Sequence, residues 1–371
     1  MRTMRVAILL FLAVAFLAAA PTLDIYFIDV DHGNAVLVVS PSGESMLLDS
    51  GPSGHIYTER ILAAMKAAGV KQIDYFVVSH YHWDHFGTIA ELASRVPVLN
   101  FVDHGPNVEA DRSPEFYRFW GITKQHPDYD SYVKTREKGK HIVGAPGERL
   151  PVKGVDALVV TSAGHVLGKA LDAPGAGIPS PGCFMTGERI DNEVEDGQSL
   201  GLLLGFGKFR FIDLGDLTWS ISYRLFCPEN KVGHVDLYMM SHHGLTIDKE
   251  SQGPALWSAS SDSPAEVYGL HPRVAVLSAG EDYVGRMATP EAWQTTRSSP
   301  GLEDIWELHY QAQGGEQNNS DDKFIACPNV NDCHGGAWIK VSAEQDGSFT
   351  VSNKRNGFSK RYSARKAGGA R

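Results

Sequence analysis

Six consecutive residues, His80-Tyr81-His82-Trp83-Asp84-His85, place three imidazoles and a carboxylate on one short stretch of chain. They follow Ile73 to Ser79, an apolar run too short for a helix, which reads as a buried strand. In extended backbone alternate side chains point the same way, so His80, His82 and Asp84 converge on one side. His85, at the turn into the next helix, reaches the same point from another angle. Imidazole nitrogen with carboxylate oxygen suits a divalent ion such as zinc, manganese or iron.

Two further stretches point to a second ion. Phe211-Ile212-Asp213-Leu214-Gly215-Asp216 ends a strand, with Gly215 letting the backbone turn and Asp216 free to present its carboxylate. Ser241-His242-His243-Gly244 follows the apolar run Val235 to Met240, again at a strand's end. Either alone is an ordinary turn. Their weight comes from following the first motif in order, all at strand ends, where open α/β sheets gather ligands.

The elements that must position these groups alternate. Leu23 to Val30, Ala35 to Val39 and Ser45 to Leu48 read as strands, with a Gly33-Asn34 turn between the first two. Thr58 to Ala68 has helical periodicity, a cap at Thr58 and a stop at Gly69. A helix from about Gly87 to Arg95 and a strand from Val98 to Val102 follow. The alternation implies a layered α/β fold. Residues 105–150 read as an irregular insertion that shapes the cleft. Past Gln311 the chain turns polar. Ala337 to Val341 and Ser348 to Val351 then read as a hairpin across Asp346-Gly347, before a frayed basic tail.

Composition narrows the partners. The chain has 371 residues, 43% hydrophobic and 21% charged, enough for a sizeable core. Its 34 Lys and Arg against 44 Asp and Glu leave a net charge of −10, which argues against tight binding of long nucleic acid. Arg2 and Arg5, the apolar run Val6 to Leu17 and Ala18-Ala19-Ala20 have the pattern of a secretory signal over residues 1–20. No later segment is long and apolar enough to span a membrane. A secreted or periplasmic protein meets oxidising conditions, so Cys183, Cys227, Cys327 and Cys333 are expected to form two disulfides, Cys327–Cys333 being the easiest local pair of three possible pairings. The sequence leaves the oligomeric state open.

Over roughly Leu23 to Trp293 the sequence resembles the metallo-β-lactamase superfamily, most nearly the hydrolase domain of ComEC-type competence proteins. Asp29-Val30-Asp31-His32-Gly33-Asn34-Ala35 is similar to that group's opening. Leu47-Leu48-Asp49-Ser50-Gly51, the 80–85 motif, Gly215-Asp216, His242-His243-Gly244 and the strand Val274 to Gly280 follow in the expected order. The resemblance implies a four-layer αββα sandwich over residues 21–310, with a C-terminal β-hairpin extension in 311–371. It implies two divalent ions, zinc first with manganese or iron as alternatives. His80 and His82 would hold the first ion; Asp84, His85 and one of His242/His243 the second, with His242 favoured; Asp216 would bridge. Asp49 would fix the tautomer of a ligating histidine. Many members supply a third histidine to the first ion, but ComEC-type domains often lack this ligand altogether; the candidates here are His165 and His104, and either could instead contact substrate.

The implied activity is hydrolysis by a hydroxide held between the two ions, with Asp84 or Asp216 orienting it and His243 protonating the leaving group. A phosphodiester or other small phosphoester leads. A lactone, lactam or thioester is the alternative, since fold alone does not choose among them. A non-catalytic extracellular module with a structural metal is a third reading.

Overall fold

The computed structural model describes residues 21–109, 127–185, 187–189, 194–247, 260–280, 288–329, 333 and 336–366. The expected signal segment and part of the 105–150 insertion lie outside these residues. No helix among the described residues is long and apolar enough to cross a membrane.

Two nine-stranded sheets form the centre. In the first, strands β1 (Leu23–Ile28), β2 (Val36–Val39) and β3 (Ser45–Leu48) form an antiparallel meander. From β3 the sheet continues in parallel through β4 (Ile73–Val77), β5 (Val98–Asp103) and β6 (Lys140–Val143). The second sheet begins with β7 (Arg149–Leu150), β8 (Asp156–Ser162), β9 (His165–Val166) and β10 (Gly201–Phe206). It turns parallel through β11 (Phe209–Asp213), β12 (Leu237–Met239), β13 (Val274–Leu277), β14 (Asp304–His309) and β15 (Ile325–Cys327).

Three apolar cores fix the layering. Between the sheets, Ile25, Phe27, Val36 and Val38 meet Leu202, Phe211, Val276 and Trp306. Outside the first sheet, Ile28, Leu47 and Phe76 pack on helices α1 (His55–Ala68), α2 (Trp83–Phe86), α3 (Ile89–Arg95) and α4 (Pro127–Arg136) through Ile61, Phe86, Leu92 and Tyr132. Outside the second, Ile212, Tyr238 and Ala275 pack on α5 (Trp219–Phe226), α6 (Pro264–Leu270) and α7 (Pro290–Arg297) through Ile221, Leu270 and Ala292. The result is the expected four-layer sandwich, consistent with a metallo-β-lactamase fold. Strands with helices on one face and a second sheet on the other bury both faces, which explains their nearly unbroken apolar runs.

The chain departs from the sequence expectations in four places. First, α1 starts at His55 because Gly54, at φ 155°, opens the turn; the Thr58 amide already bonds the Gly54 carbonyl. Second, the helix expected over 87–95 runs over Ile89–Arg95, and a separate one-turn helix, Trp83–Phe86, precedes it inside the His motif. Third, the described part of 105–150 contains α4, whose Tyr132 hydroxyl and Arg136 guanidinium close on buried Asp103 at 2.7 and 2.6 Å. Fourth, the C-terminal hairpin is no appendage. Its strand β16 (Trp338–Ala343) pairs antiparallel with β1, followed by β17 (Phe349–Asn353) and β18 (Ser359–Tyr362), so it completes the first sheet. The basic tail is pinned as far as Arg365, which donates to the Val235 and His271 carbonyls at 2.7 and 2.8 Å.

Both pairs of cysteines are joined, Cys183–Cys227 and Cys327–Cys333.

Candidate metal centre

The parallel strands of both sheets end on one side of the sandwich, and most of the groups singled out by their chemistry lie just past a strand there. Asp49 follows β3, His80 follows β4, Asp216 follows β11, and His242 and His243 follow β12. The turns are strained in the way functional turns often are: Asp49, His242 and His243 have φ of 55°, 45° and 54°. Two glycines are required. A Cβ on Gly215, at φ 59°, would lie 2.6 Å from the Ser79 Cβ, and one on Gly33 would lie 1.8 Å from the Asp84 carbonyl oxygen.

Asp216 is the hub. Its Oδ2 lies 3.3 Å from Nε2 of both His85 and His243, 3.5 Å from His242 Nε2 and 3.9 Å from His80 Nε2. Around it two groups form. In one, Asp84 Oδ2 lies 3.6 Å from His243 Nε2 and 4.0 Å from His85 Nε2. In the other, His80 and His82 meet a residue that sequence reasoning did not single out: Asp196 Oδ1 is 2.8 Å from His82 Nδ1 and 3.5 Å from His80 Nε2.

The electrostatics separate the imidazoles. Burial and the neighbouring His85 and His82 push His80 well below the ordinary histidine value, which leaves it a neutral ring. Burial also opposes charge on His85, but the Asp216, Asp49 and Asp84 carboxylates outweigh it and hold that ring well above its ordinary value. Asp216 is driven well below the usual carboxylate range: burial opposes this, and His243, His85 and His242 overcome it.

Hydrogen bonds set the rings. Asp49 accepts from the Ser79 amide at 2.7 Å and the Ser79 hydroxyl at 2.8 Å, and its Oδ2 is 2.7 Å from His85 Nδ1. With its proton given to Asp49, Ser79 Oγ accepts from His80 Nδ1 at 3.0 Å, so the His80 Nε2 lone pair faces the cluster. His243 Nδ1 donates to the Ser278 carbonyl oxygen at 2.9 Å, which turns its Nε2 inward in the same way.

The set fits divalent ions. His80 Nε2 and Asp196 Oδ1 are buried without a hydrogen-bond partner, although they lie close to each other and to other polar atoms. Buried polar atoms almost always find partners, and lone pairs aimed at a shared space are what a cation satisfies. His80, His82, Asp196 and Asp216 would hold one ion; Asp84, His85, His243 and Asp216 the other.

Several expectations meet a different geometry. His243, rather than His242, joins Asp84 and His85, while His242 is the more exposed of the two, at 15% against 8% for the side chain. Neither His165 nor His104 joins His80 and His82. His165 is exposed on β9, and His104 is buried behind the centre with Nε2 3.0 Å from Glu195 Oε2. Asp196 stands between the His motif and Asp216 in chain order, where the family resemblance places a third histidine, but a lone loop carboxylate has no spacing that marks it. Glu109, 3.3 Å from His82 Nε2, was likewise missed. His32 stacks on Trp83 with ring centroids 5.4 Å apart and puts Nε2 3.4 Å from Asp84 Oδ2.

Residues 28–162 match the model of the Metallo-beta-lactamase superfamily. No curated protein matches the chain. Among solved structures, CmlA of Streptomyces venezuelae, a diiron beta-hydroxylase, aligns at 13% identity and a TM-score of 0.42, over 78% of this chain and 54% of its own. The chain thus spans about half the length of CmlA. The metallo-beta-lactamase fold protein YhfI of Bacillus subtilis aligns at 12% identity and a TM-score of 0.42, over 76% of this chain and 95% of its own. A beta-lactamase of Chitinophaga pinensis aligns at 14% identity and a TM-score of 0.31, over 56% of this chain and 66% of its own.

Proposed function

We propose that the protein is an exported hydrolase that uses two divalent cations to cleave a small phosphoester. The observation that carries the reading is the hub at Asp216, whose single oxygen stands within 3.9 Å of four imidazole nitrogens contributed by two sheets. A shared carboxylate between two incomplete ligand sets is the arrangement of a two-ion site, whereas a structural ion usually closes its own set of four ligands. That weighs against a non-catalytic binding module.

Bound divalent ions supply Lewis acidity and make water nucleophilic near neutral pH. The chain's own groups do the rest. Asp84 and Asp216 accept hydrogen bonds and orient the attacking water. His243, fixed by Ser278 and turned inward, is spent on holding its ion. His242 lies at the mouth of the site and is placed to give a proton to the leaving group. The expected roles of these two histidines are therefore exchanged in this reading.

The phosphoester assignment rests on the resemblance to ComEC-type domains, and the acidic chain favours a small ester over a long polyanion. Export rests on the pattern of residues 1–20; two disulfides suit an oxidising compartment.

The test is turnover of chromogenic phosphodiesters, lactams and lactones by the purified protein with zinc and with manganese. Phosphodiester turnover that a chelator stops, and that Asp84→Ala lacks while keeping its fold by circular dichroism, supports the reading. Turnover of lactams or lactones alone overturns the substrate class. Full activity in Asp84→Ala overturns the site.

A further inference from the structure

The first ligand group departs from an all-imidazole set, and the departure is built in. Asp196 lies on a single 3-10 turn, Glu195–Gln198. Its neighbour Glu195 fastens that turn to the His motif: the carboxylate accepts from the Tyr81 amide at 3.1 Å and the Val108 amide at 2.6 Å, and lies 3.0 Å from His104 Nε2. Asp196 Oδ1 is thereby held in ion-pair contact 2.8 Å from His82 Nδ1, with 2% of the residue exposed. The far side of the same ring is also occupied by a carboxylate. His82 Nε2 faces Glu109 Oε2 at 3.3 Å, and Glu109 Oε1 accepts from the Glu195 amide at 3.0 Å.

We infer that this position, where His80, His82 and Asp196 supply two imidazoles and a carboxylate of its own beside the shared Asp216, shifts its preference from zinc toward iron(II) or manganese(II), with Glu109 as the positioning residue of His82. The inference rests on the two-ion reading above and adds the selectivity of one of its positions.

The physical reason is ligand hardness and charge. Nitrogen-rich sets suit zinc, whereas carboxylate oxygen suits manganese and iron, and two histidines with one carboxylate and open positions typify non-haem iron(II) sites. Three ligand carboxylates (Asp84, Asp196 and Asp216) against two dications leave a formal charge of +1, where a third histidine in place of Asp196 would leave +2. Glu109 adds negative charge behind His82 and fixes its tautomer, which makes the ring a more basic ligand.

The experiment is metal competition on the full chain. Apo-protein is equilibrated anaerobically with chelator-buffered iron(II) and zinc(II) at equal free concentrations, and bound metal per chain is measured by mass spectrometry. The expected result is an iron-to-zinc ratio at least about tenfold higher in the wild type than in Asp196→His. Equal ratios overturn the inference. If Asp196→His fails to fold, Asp196→Asn decides: a fall from two bound ions to one supports the ligand role, and two ions retained overturns it. Glu109→Gln is expected to weaken the first ion about 10-fold or more with the second unchanged; unchanged affinity overturns its positioning role. A wild-type chain that binds no ion overturns the two-ion reading itself, whereas two ions with no change in ratio overturn only the selectivity.

Discussion

Asp49 and His85, 36 residues apart in the chain, meet with Oδ2 2.7 Å from Nδ1, both fully buried. The contact is possible because β3 and β4 are parallel neighbours, so the residue after β3 and the turn after β4 open on the same end of the sheet. The carboxylate fixes His85 with Nε2 toward Asp216 and raises its basicity as a ligand. Removing a carboxylate from behind a metal-bound histidine typically costs 10–100-fold in affinity. Asp49→Asn is therefore expected to weaken the second ion by roughly that factor while keeping the fold. Metal titration by calorimetry checks it; an unchanged second binding step would falsify the role assigned to Asp49.

Much of this centre is legible in the sequence because its groups are local or sit at strand ends. The 80–85 motif reads directly, and Asp49 and Asp216 follow apolar runs that can only be buried strands. What the sequence hides is contact between loops. Asp196 reaches His82 only because Glu195 caps three groups from two distant segments, and Glu109 reaches the same ring from the insertion. Adjacent His242 and His243 share left-handed torsions and differ in the groups their side chains meet, which composition does not encode. Likewise β16 reads as an isolated hairpin because its partner, β1, is more than 300 residues away.

Glu307 provides a pH test far from the metal centre. On β14 its Oε1 accepts from the Ser320 amide at 2.6 Å and from the Trp293 indole at 3.2 Å, while Oε2 is buried without a partner. Burial, only partly offset by these bonds, raises its pKa from 4.5 to about 7. Between those values the folded chain keeps a proton that the unfolded chain has lost. Its contribution to stability therefore falls as pH rises through this window, by on the order of 3 kcal/mol, and is flat above it. Glu307→Gln should match the wild type near pH 5 and exceed it near pH 8 in denaturant unfolding. A stability difference that does not change with pH would refute this.

The two disulfides should differ in weight. Cys183–Cys227 closes a separation of 44 residues and ties the turn Pro181–Phe184 to the end of α5, whereas Cys327–Cys333 closes only 6. Loop-closure entropy then assigns about 4 kcal/mol to the first and about 2 kcal/mol to the second. Replacing each pair by serines and comparing urea midpoints measures the difference; equal losses, or a larger loss for the short loop, contradict it. Native protein from an oxidising compartment should show no titratable thiol.

His242 and His243 allow a direct separation of holding an ion from acting on substrate. Both have left-handed backbone torsions, which point neighbouring side chains to different places. His243 is tethered by its Nδ1 to the Ser278 carbonyl and points Nε2 at Asp84, Asp216 and His85, 3.3 Å from the Nε2 of the last. Two imidazole nitrogens that close, both flanked by the same carboxylate, are arranged for a shared cation. His242 approaches Asp216 from the open side. His243→Ala should therefore lose one bound ion per chain and its activity together. His242→Ala should keep both ions and lose about 10²–10⁴-fold in kcat, the usual contribution of a general acid, with a smaller loss for substrates whose leaving group needs no proton. Two ions retained in His243→Ala and one lost in His242→Ala would reverse the assignment, and metal analysis beside steady-state kinetics on both variants decides it.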